Sequence, residues 1–553
     1  MWSRALRCSA VVLFLALASR GRAATYCVDL SGSGCDVTSS GSAGLTSALT
    51  AAAASADDDI INIGAGTYLG PFAYLPTGNS GTLTIVGSGS DQTTLSDPVP
   101  GSFFSVISLG RDMLGKPANV SKIAVVIPST ATVGIFTDGL VEDVHVTSLP
   151  PNGGVIGVEL LGTGSGIRHC QIEMNNVTQG MNQAIGVETN TSGTISPDPS
   201  PAFIEDSTVF DGVTTVEALV PLRITRCRVS ANGNGSFAID ALGTNVTVED
   251  SLVVVSGRGD AVRAMSEGTH AGSLLVRQVT AVSVGATSAF AGISVDAESG
   301  NASADVRHSI IRGFENSTVR SANAGLAATV SFSACDYPFD AHLVQGAGDT
   351  TLTEPEPNID ADPLFVDALA GNYELSDGSP AIDASYSPPL APDESPTDLL
   401  GAPRIQDGNG DGIAARDMGA FEHPAVAKPP TTTTTVLTTT TTAASATTTT
   451  TLPCTTPRCL FDAALRGRAC AGATVPQAVT AKIAAAEGLL DRVASSSGKK
   501  ERRVLGHTRR VLGAITRAAA HASKGKKARI PAGCSMAIAG AARAVRAALP
   551  ASP

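Results

Sequence analysis

Val141-Glu142-Asp143-Val144-His145-Val146, Ile167-Arg168-His169-Cys170-Gln171-Ile172 and Ile204-Glu205-Asp206-Ser207-Thr208-Val209 are copies of one six-residue pattern, Val/Ile-x-x-small-x-apolar. Further copies run from Ile224 to Val229, Val248 to Val253, Val276 to Ala281 and Val306 to Ile311, with a weaker one from Val330 to Cys335. Successive copies start about 20 to 37 residues apart, in the range where a repeat signals a solenoid. Each copy is short, rich in β-branched residues and followed by Gly, Asn or Ser, so it reads as strand then turn. Stacked one per coil, such units make an all-β fold, a right-handed parallel β-helix solenoid.

Positions one, four and six of the hexad are apolar or small and should face the interior, while two and three carry charge at a bend. Down the stack the bend pairs read Glu142-Asp143, Arg168-His169, Glu205-Asp206, Thr225-Arg226, Glu249-Asp250, Arg277-Gln278 and Arg307-His308. Acidic and basic pairs alternate for most of the series, which places opposite charges on neighbouring coils and penalises wrong pairing. Register control is therefore the favoured reading, ahead of a carbohydrate-binding ridge.

At 553 residues the chain exceeds one ordinary core. Residues 1–23 have the form of a secretory signal, with Arg4 and Arg7, an apolar run from Ala10 to Ala18, and small residues at Gly21 and Ala23. No later stretch is long and apolar enough to anchor the chain, so no transmembrane segment is expected. The net charge of −12 conceals an asymmetry, with about 16 basic against 46 acidic residues from Ala24 to Pro453 and about 18 against 4 from Cys454 onward. An acidic body disfavours nucleic acid as a partner. Cys27 and Cys35 flank a Gly/Ser turn and are expected to form a disulfide in an oxidising compartment. Cys170 and Cys227 share an inward hexad position two coils apart, roughly 10 Å by strand spacing, and should stay free. Cys454, Cys459, Cys470 and Cys534 allow three pairings.

Two stretches carry resemblances. Leu45 to Ala54 is Ala-rich and helical in character, and is followed by Ile60-Ile61-Asn62-Ile63, Gly66-Thr67-Tyr68 and Leu83-Thr84-Ile85-Val86-Gly87-Ser88-Gly89. This order resembles the opening of pectate-lyase-like β-helix proteins, in which a helix caps the end of the solenoid. Later come Asp362-Pro363-Leu364-Phe365-Val366-Asp367, Gly371-Asn372-Tyr373-Glu374-Leu375, Gly378-Ser379-Pro380-Ala381-Ile382-Asp383, and Asp407 to Gly412 with Asp417-Met418-Gly419-Ala420-Phe421-Glu422. That series resembles the C-terminal block of the bacterial choice-of-anchor Q proteins. The resemblance implies a secreted bacterial β-helix protein attached to a cell surface, and supplies no catalytic residues.

The expected organisation is a signal peptide (1–23), a β-helix with an N-terminal cap (24–350), a C-terminal cap (351–424), a Thr/Pro-rich linker (425–453) and a basic, disulfide-stapled helical module (454–553). Within the last, Val479, Ile483, Leu490 and Val493, then Val504, Val511, Ile515 and Ala518, then Ile538, Ala542, Val545 and Leu549 have helical spacing. Lys499, Lys500, Arg502, Arg503, Arg509 and Arg510 suit an anionic envelope component, either wall polymer or lipid head group.

The sharpest local motif is Asp407-x-Asn409-x-Asp411-Gly412, with oxygen ligands at alternate positions on a glycine-rich path that suits a hard cation. Position twelve of an EF-hand loop would be Met418, so a non-EF, structural Ca²⁺ site is expected, drawing on Asp407, Asn409, Asp411, Asp417 and Glu422. For catalysis the nearest local set is Arg258, Asp260 and Arg263, weak candidates for the base and acids of a lyase. The chain has no G-x-S-x-G or H-E-x-x-H motif, and its one tryptophan, Trp2, falls in the leader. The expectation is a secreted or cell-surface protein with a structural, adhesive or glycan-binding role. The alternative is a polysaccharide lyase or glycoside hydrolase on a pectin-like or other surface polysaccharide, to be sought in the irregular segments such as Ile167 to Ile204.

Overall fold

The computed structural model describes residues 23–32, 34–76, 81–97, 105–110, 117–128, 132–149, 154–174, 184–190, 200–233, 235–285, 289–385, 390–426, 475–494 and 498–522, with Phe461, Leu465, Ile530, Cys534, Ile538, Ala542 and Val545. Residues 1–22 of the expected leader, the threonine tract, Cys454, Cys459 and Cys470 lie outside the described residues. The chain divides into two units, Met1–Pro429 and Pro430–Pro553.

The first unit is a right-handed parallel β-helix, as the hexads imply. Its strands stack into three parallel sheets of 14, 10 and 11 strands. One coil shows the plan: Leu140–Glu142 lies in the first sheet, His145–Ser148 in the second and Val155–Leu161 in the third, before Gly166–Arg168 returns to the first. Hexad positions one, four and six are buried throughout the first three copies, none more than 4% exposed.

Position three is the corner. Asp143, His169, Asp206, Arg226, Asp250, Gln278 and His308 all have φ between +47° and +54°, the left-handed conformation that turns the chain from first sheet to second in one residue. In the last copy the corner is Ala334, and Phe332 pairs with Val306, so the hexad there runs from Phe332 to Tyr337, two residues later than the expected Val330 to Cys335. The corner leaves the position-four N–H without a backbone partner, and the side chain one coil on accepts it. Cys170 N donates to Ser207 Oγ (3.0 Å), Cys227 N to Ser251 Oγ (3.0 Å), Val279 N to Ser309 Oγ (3.1 Å) and Val144 N to Cys170 Sγ (3.4 Å). Each hydroxyl or thiol in turn donates to the position-two carbonyl of its own coil, as Ser207, Ser251 and Cys227 do to Glu205, Glu249 and Thr225. Where position four is Cys170, Ser207, Cys227, Ser251 or Ser309 it is therefore small and polar for a hydrogen-bonding reason as well as a steric one, while Val144 and Val279 fill it by packing alone.

Cys27 and Cys35 are disulfide-bonded, and Cys170 and Cys227 are free and buried, joined by Cys335. Burial pushes all three thiols up to about 12, so they are inert packing groups. The helix Gly41–Ala53 lays Leu45, Ala48, Leu49 and Ala52 on the first coil and closes that end.

The 351–424 segment differs from the expected end cap. Residues around Ile359 extend the second sheet over Cys335 and Tyr337, but the rest runs back along the outer face of that sheet. Tyr373, Ala420 and Phe421 pack on Leu252 and Val282, and Leu375, Ala381, Ile382 and Met418 pack on Ile310. The reason lies at hexad position five, which faces outward. It is His145, Gln171, Thr208 and Arg228 in the earlier coils, but Leu252, Thr280 and Ile310 where the segment lies. The charge ladder divides at the same place. Arg168 bridges Glu142 (3.8 Å) and Glu205 (3.0 Å), and Arg226 pairs with Asp206 (2.6 Å), so the expected coil-to-coil alternation holds in that half. Beyond it, Asp250 pairs with fully buried Arg404, Arg277 with Asp393 as well as Glu249, and Gln278 with Glu394.

In the second unit, Gln477–Ala494 and Gly498–Ala522 are helices. They bury Val479, Ile483, Leu512, Ile515 and Ala519 with Ile538, Ala542 and Val545; in the second helix Leu512 and Ala519 take the central places expected for Val511 and Ala518, which pack at the edge of the cluster. Cys534 is disulfide-bonded. Arg503 and Arg510 are exposed, while the side chains of Lys499, Lys500 and Arg502 lie outside the described residues.

Candidate functional site

The third sheet carries what the hexads do not. Its strands alternate inward and outward residues. Inward Val158, Val187, Val216, Ile239 and Val262 stand in register, and the residue after each faces outward. The outward file reads Phe136, Glu159, Glu188, Glu217, Asp240, Arg263 and Ser294, one per coil and in register across seven strands. At about 4.8 Å per strand, four consecutive carboxylates occupy one face, with an aromatic ring at one end and an arginine at the other.

Asn190, two residues beyond Glu188 on strand Ala184–Asn190, donates from Nδ2 to both Glu159 Oε1 and Glu188 Oε1, each at 3.1 Å. Those two oxygens are therefore within about 6 Å of one another. Burial, then the charges of Glu159 and Glu217, raise Glu188 to about 7, so its protonated and ionised forms are both populated near neutrality. Burial, then Asp240, also raises Glu217. A closely spaced carboxyl pair with one member poised near neutral pH can supply a nucleophile and a general acid/base.

At the far end, Arg263 grips Asp240 with two bonds, Nε to Oδ1 at 2.9 Å and Nη2 to Oδ2 at 2.6 Å, and its guanidinium lies 3.8 Å from the centre of the Phe237 ring. Arg258, Asp260 and Arg263 line one open pocket of about 330 Å³ with Phe237, Phe290 and Asp296, so the structure does gather the three weak candidates. It does not arrange them as a lyase base with free acids. Burial opposes the charge of Arg263, yet the Asp240 carboxylate holds its pKa above the ordinary value, so it is a fixed cation. Arg258 makes an exposed pair with Glu315 at 3.3 Å. Burial raises Asp260 to about 7.

The expected calcium residues fall into two groups. Asp407, Asn409 and Asp411 lie on one exposed loop, where their side chains accept from the backbone N–H groups of Gly412, Asp411 and Ile413. Asp383, which the motif did not include, braces this loop by accepting from Asn409 N (2.7 Å) and Ala415 N (3.3 Å). Asp417 and Glu422 are buried. The first accepts from Asp383 N and His423 N, and the second pairs with Arg404 at 3.4 Å. Among the described residues no group of three or more His, Cys, Asp or Glu side chains is gathered as a metal site.

Sequence reasoning missed the carboxylate file because third-sheet strands lie at no fixed distance from the hexads. The signal was a second pattern: Val158-Glu159-Leu160, Val187-Glu188-Thr189, Val216-Glu217-Ala218, Ile239-Asp240-Ala241 and Val262-Arg263-Ala264 align on one another. Glu188 does fall in the irregular Ile167 to Ile204 interval singled out from sequence.

No family model matches the chain, and no curated protein matches it in sequence. Solved structures similar to it include a pectate lyase, Pel9A, at 12% identity over 73% of this chain and 97% of that one, with a TM-score of 0.34. Another is YbhC of Escherichia coli, at 8% identity over 63% and 88%, with a TM-score of 0.24. The likeness is one of parallel β-helix fold alone.

Proposed function

We propose that the protein is a retaining glycoside hydrolase that lays a polysaccharide along the third-sheet file. The reading rests on the Glu159 and Glu188 carboxylates held by one Asn190 amide. Their accepting oxygens, at most about 6 Å apart, fit the roughly 5–5.5 Å of a retaining pair better than the roughly 6.5–9.5 Å that lets an inverting enzyme place a water between acid and base. Glu159 attacks the anomeric carbon while Glu188 gives its proton to the departing glycosidic oxygen. Glu188 then removes a proton from water, which displaces Glu159 and releases the sugar with its original anomeric configuration. The substrate is a neutral or amino-bearing chain, since three consecutive glutamates would repel the uronates of a pectin-like polymer. Phe136 and Phe237 give its rings apolar surfaces.

A structural or adhesive glycan-binding role without catalysis is the second reading, and the alternating ladder from Glu142 to Arg226 favours it by showing half the solenoid given over to register. Secretion from a bacterium, and attachment through the basic module to an anionic envelope component, rest on the leader, the choice-of-anchor Q-like block and the charge of the tail. Incubating the protein with neutral, amino and acidic polysaccharides while measuring reducing and unsaturated ends separates the readings. Reducing ends from the first two classes support hydrolysis, unsaturated ends would point to a lyase, and neither would leave the binding role.

The exposed loop is also proposed to take structural Ca²⁺ through Asp407, Asn409 and Asp411, with Asp383 beneath them; Asp417 and Glu422 would support it from the interior. Adding calcium should raise the melting temperature of the wild type but not of Asp411→Ala. Indifference of the wild type to calcium and chelator removes the metal.

A further inference from the structure

Two inward columns of the third sheet are apolar or small for most of their length and become polar at the terminal coils. One runs Leu160, Thr189, Ala218, Ala241, Ala264, Val295 and then Arg320. The other runs Val158, Val187, Val216, Ile239, Val262, Ile293, Thr318 and His342. Arg320 is 7% exposed. Its Nε is enclosed with no hydrogen bond, and among the described residues its guanidinium forms no ion pair with a carboxylate, Tyr337 being its one electrostatic neighbour. Thr318 Oγ1 and His342 Nδ1 are likewise enclosed and unpartnered. Tyr337, whose ring centre is 6.1 Å from that of His342, spends its hydroxyl on Glu354. The strand His342–Gly346 is the last of its sheet, so this cluster sits beside the terminal coil.

A guanidinium cannot shed its proton, and burying one without an anion is unfavourable. Every other arginine with comparable burial in the described solenoid has a carboxylate: Arg277 has Glu249, Arg404 has Asp250 and Arg416 has Glu394. We propose that the terminal coils hold a small oxyanion, a carboxylate or sulfate group, on the planar fork of Arg320, with the Thr318 hydroxyl as a second donor and the His342 ring as a wall. This site is on the inner side of the sheet and independent of the carboxylate file outside it. The anion can be free in solution or be a carboxylate of a second copy docked on the terminal coil.

Melting of the full chain in chloride, acetate and sulfate at matched ionic strength tests the site, using wild type, Arg320→Met and Thr318→Val. The wild type should gain several degrees in sulfate or acetate over chloride, Thr318→Val less, and Arg320→Met only the general effect of an excluded salt. In chloride, Arg320→Met should melt at or above the wild type, because it removes an uncompensated buried charge. Equal anion responses in all three proteins, or a less stable Arg320→Met in chloride, overturn the proposal. Sedimentation in acetate and in chloride identifies the source. Unchanged mass at a retained anion response indicates a free anion, and a dimer in chloride that Arg320→Met dissociates indicates the second copy.

Discussion

The hexad corner shows how much one residue position can specify. Position three must adopt φ near +50°, and Asp, His, Arg and Gln supply it there at a modest cost that a β-branched residue would exceed. Position four must be compact, and where it is Ser or Cys it also accepts a hydrogen bond from the coil before. Ser251→Ala keeps the volume but leaves the enclosed Cys227 N–H unpaired, and should cost about 1–2 kcal/mol in chemical denaturation. Ser251→Cys, which restores an acceptor as Cys227 and Cys170 do, should recover most of it. The third-sheet carboxylates act in the opposite sense. Burial raises Glu188 and Asp260 to about 7, above their unfolded values near 4, so their contribution to stability is full below about pH 4 and is lost as pH rises through 7. The melting temperature should therefore fall between pH 5 and pH 8. Glu188→Gln should flatten that fall by about 1–3 kcal/mol. An unchanged slope in the variant would place the titration elsewhere.

At the scale of elements, the hexads made the first two sheets legible because the one-residue corner between them fixes their spacing in sequence. The third sheet was not legible by that route, since its connections to the hexads vary in length, even though a strand such as Thr214–Ala218 is longer than the hexad strand Gly166–Arg168. The C-terminal segment was recognisable as a unit, but its position was not. Only the change at position five, from Gln171 and Thr208 to Leu252 and Ile310, marks where it lies, and that change has meaning once the outward face is known. Arg404 is the joint between segment and solenoid, placing Nε 2.6 Å from Asp250 Oδ1 and Nη1 3.0 Å from the Gly419 carbonyl. Arg404→Ala strands Asp250 and Glu422 in the interior and should cost about 3–5 kcal/mol, whereas an exposed pair such as Arg258 with Glu315 should contribute under about 1 kcal/mol. Comparable losses at the two sites would show that the segment is held by its apolar contacts alone.

Over the whole solenoid the work is divided by face. The corner between first and second sheets sets register, the outer second sheet is half covered by the returning C-terminal segment, and the outer third sheet presents a continuous carboxylate file with Phe136 and Arg263 at its ends. Alternating charge at the corner reads from sequence as a register device and turns the search to irregular segments such as Ile167 to Ile204, which holds Glu188 but not Glu159. The most direct measurement is the release of reducing ends from a neutral or amino polysaccharide by wild type, Glu159→Gln and Glu188→Gln. The retaining mechanism predicts release by the wild type with the original anomeric configuration, and a loss of about 10²-fold or more in either variant, each still folded and binding the polymer. Release undiminished by both substitutions, or inversion at the anomeric carbon, would contradict it.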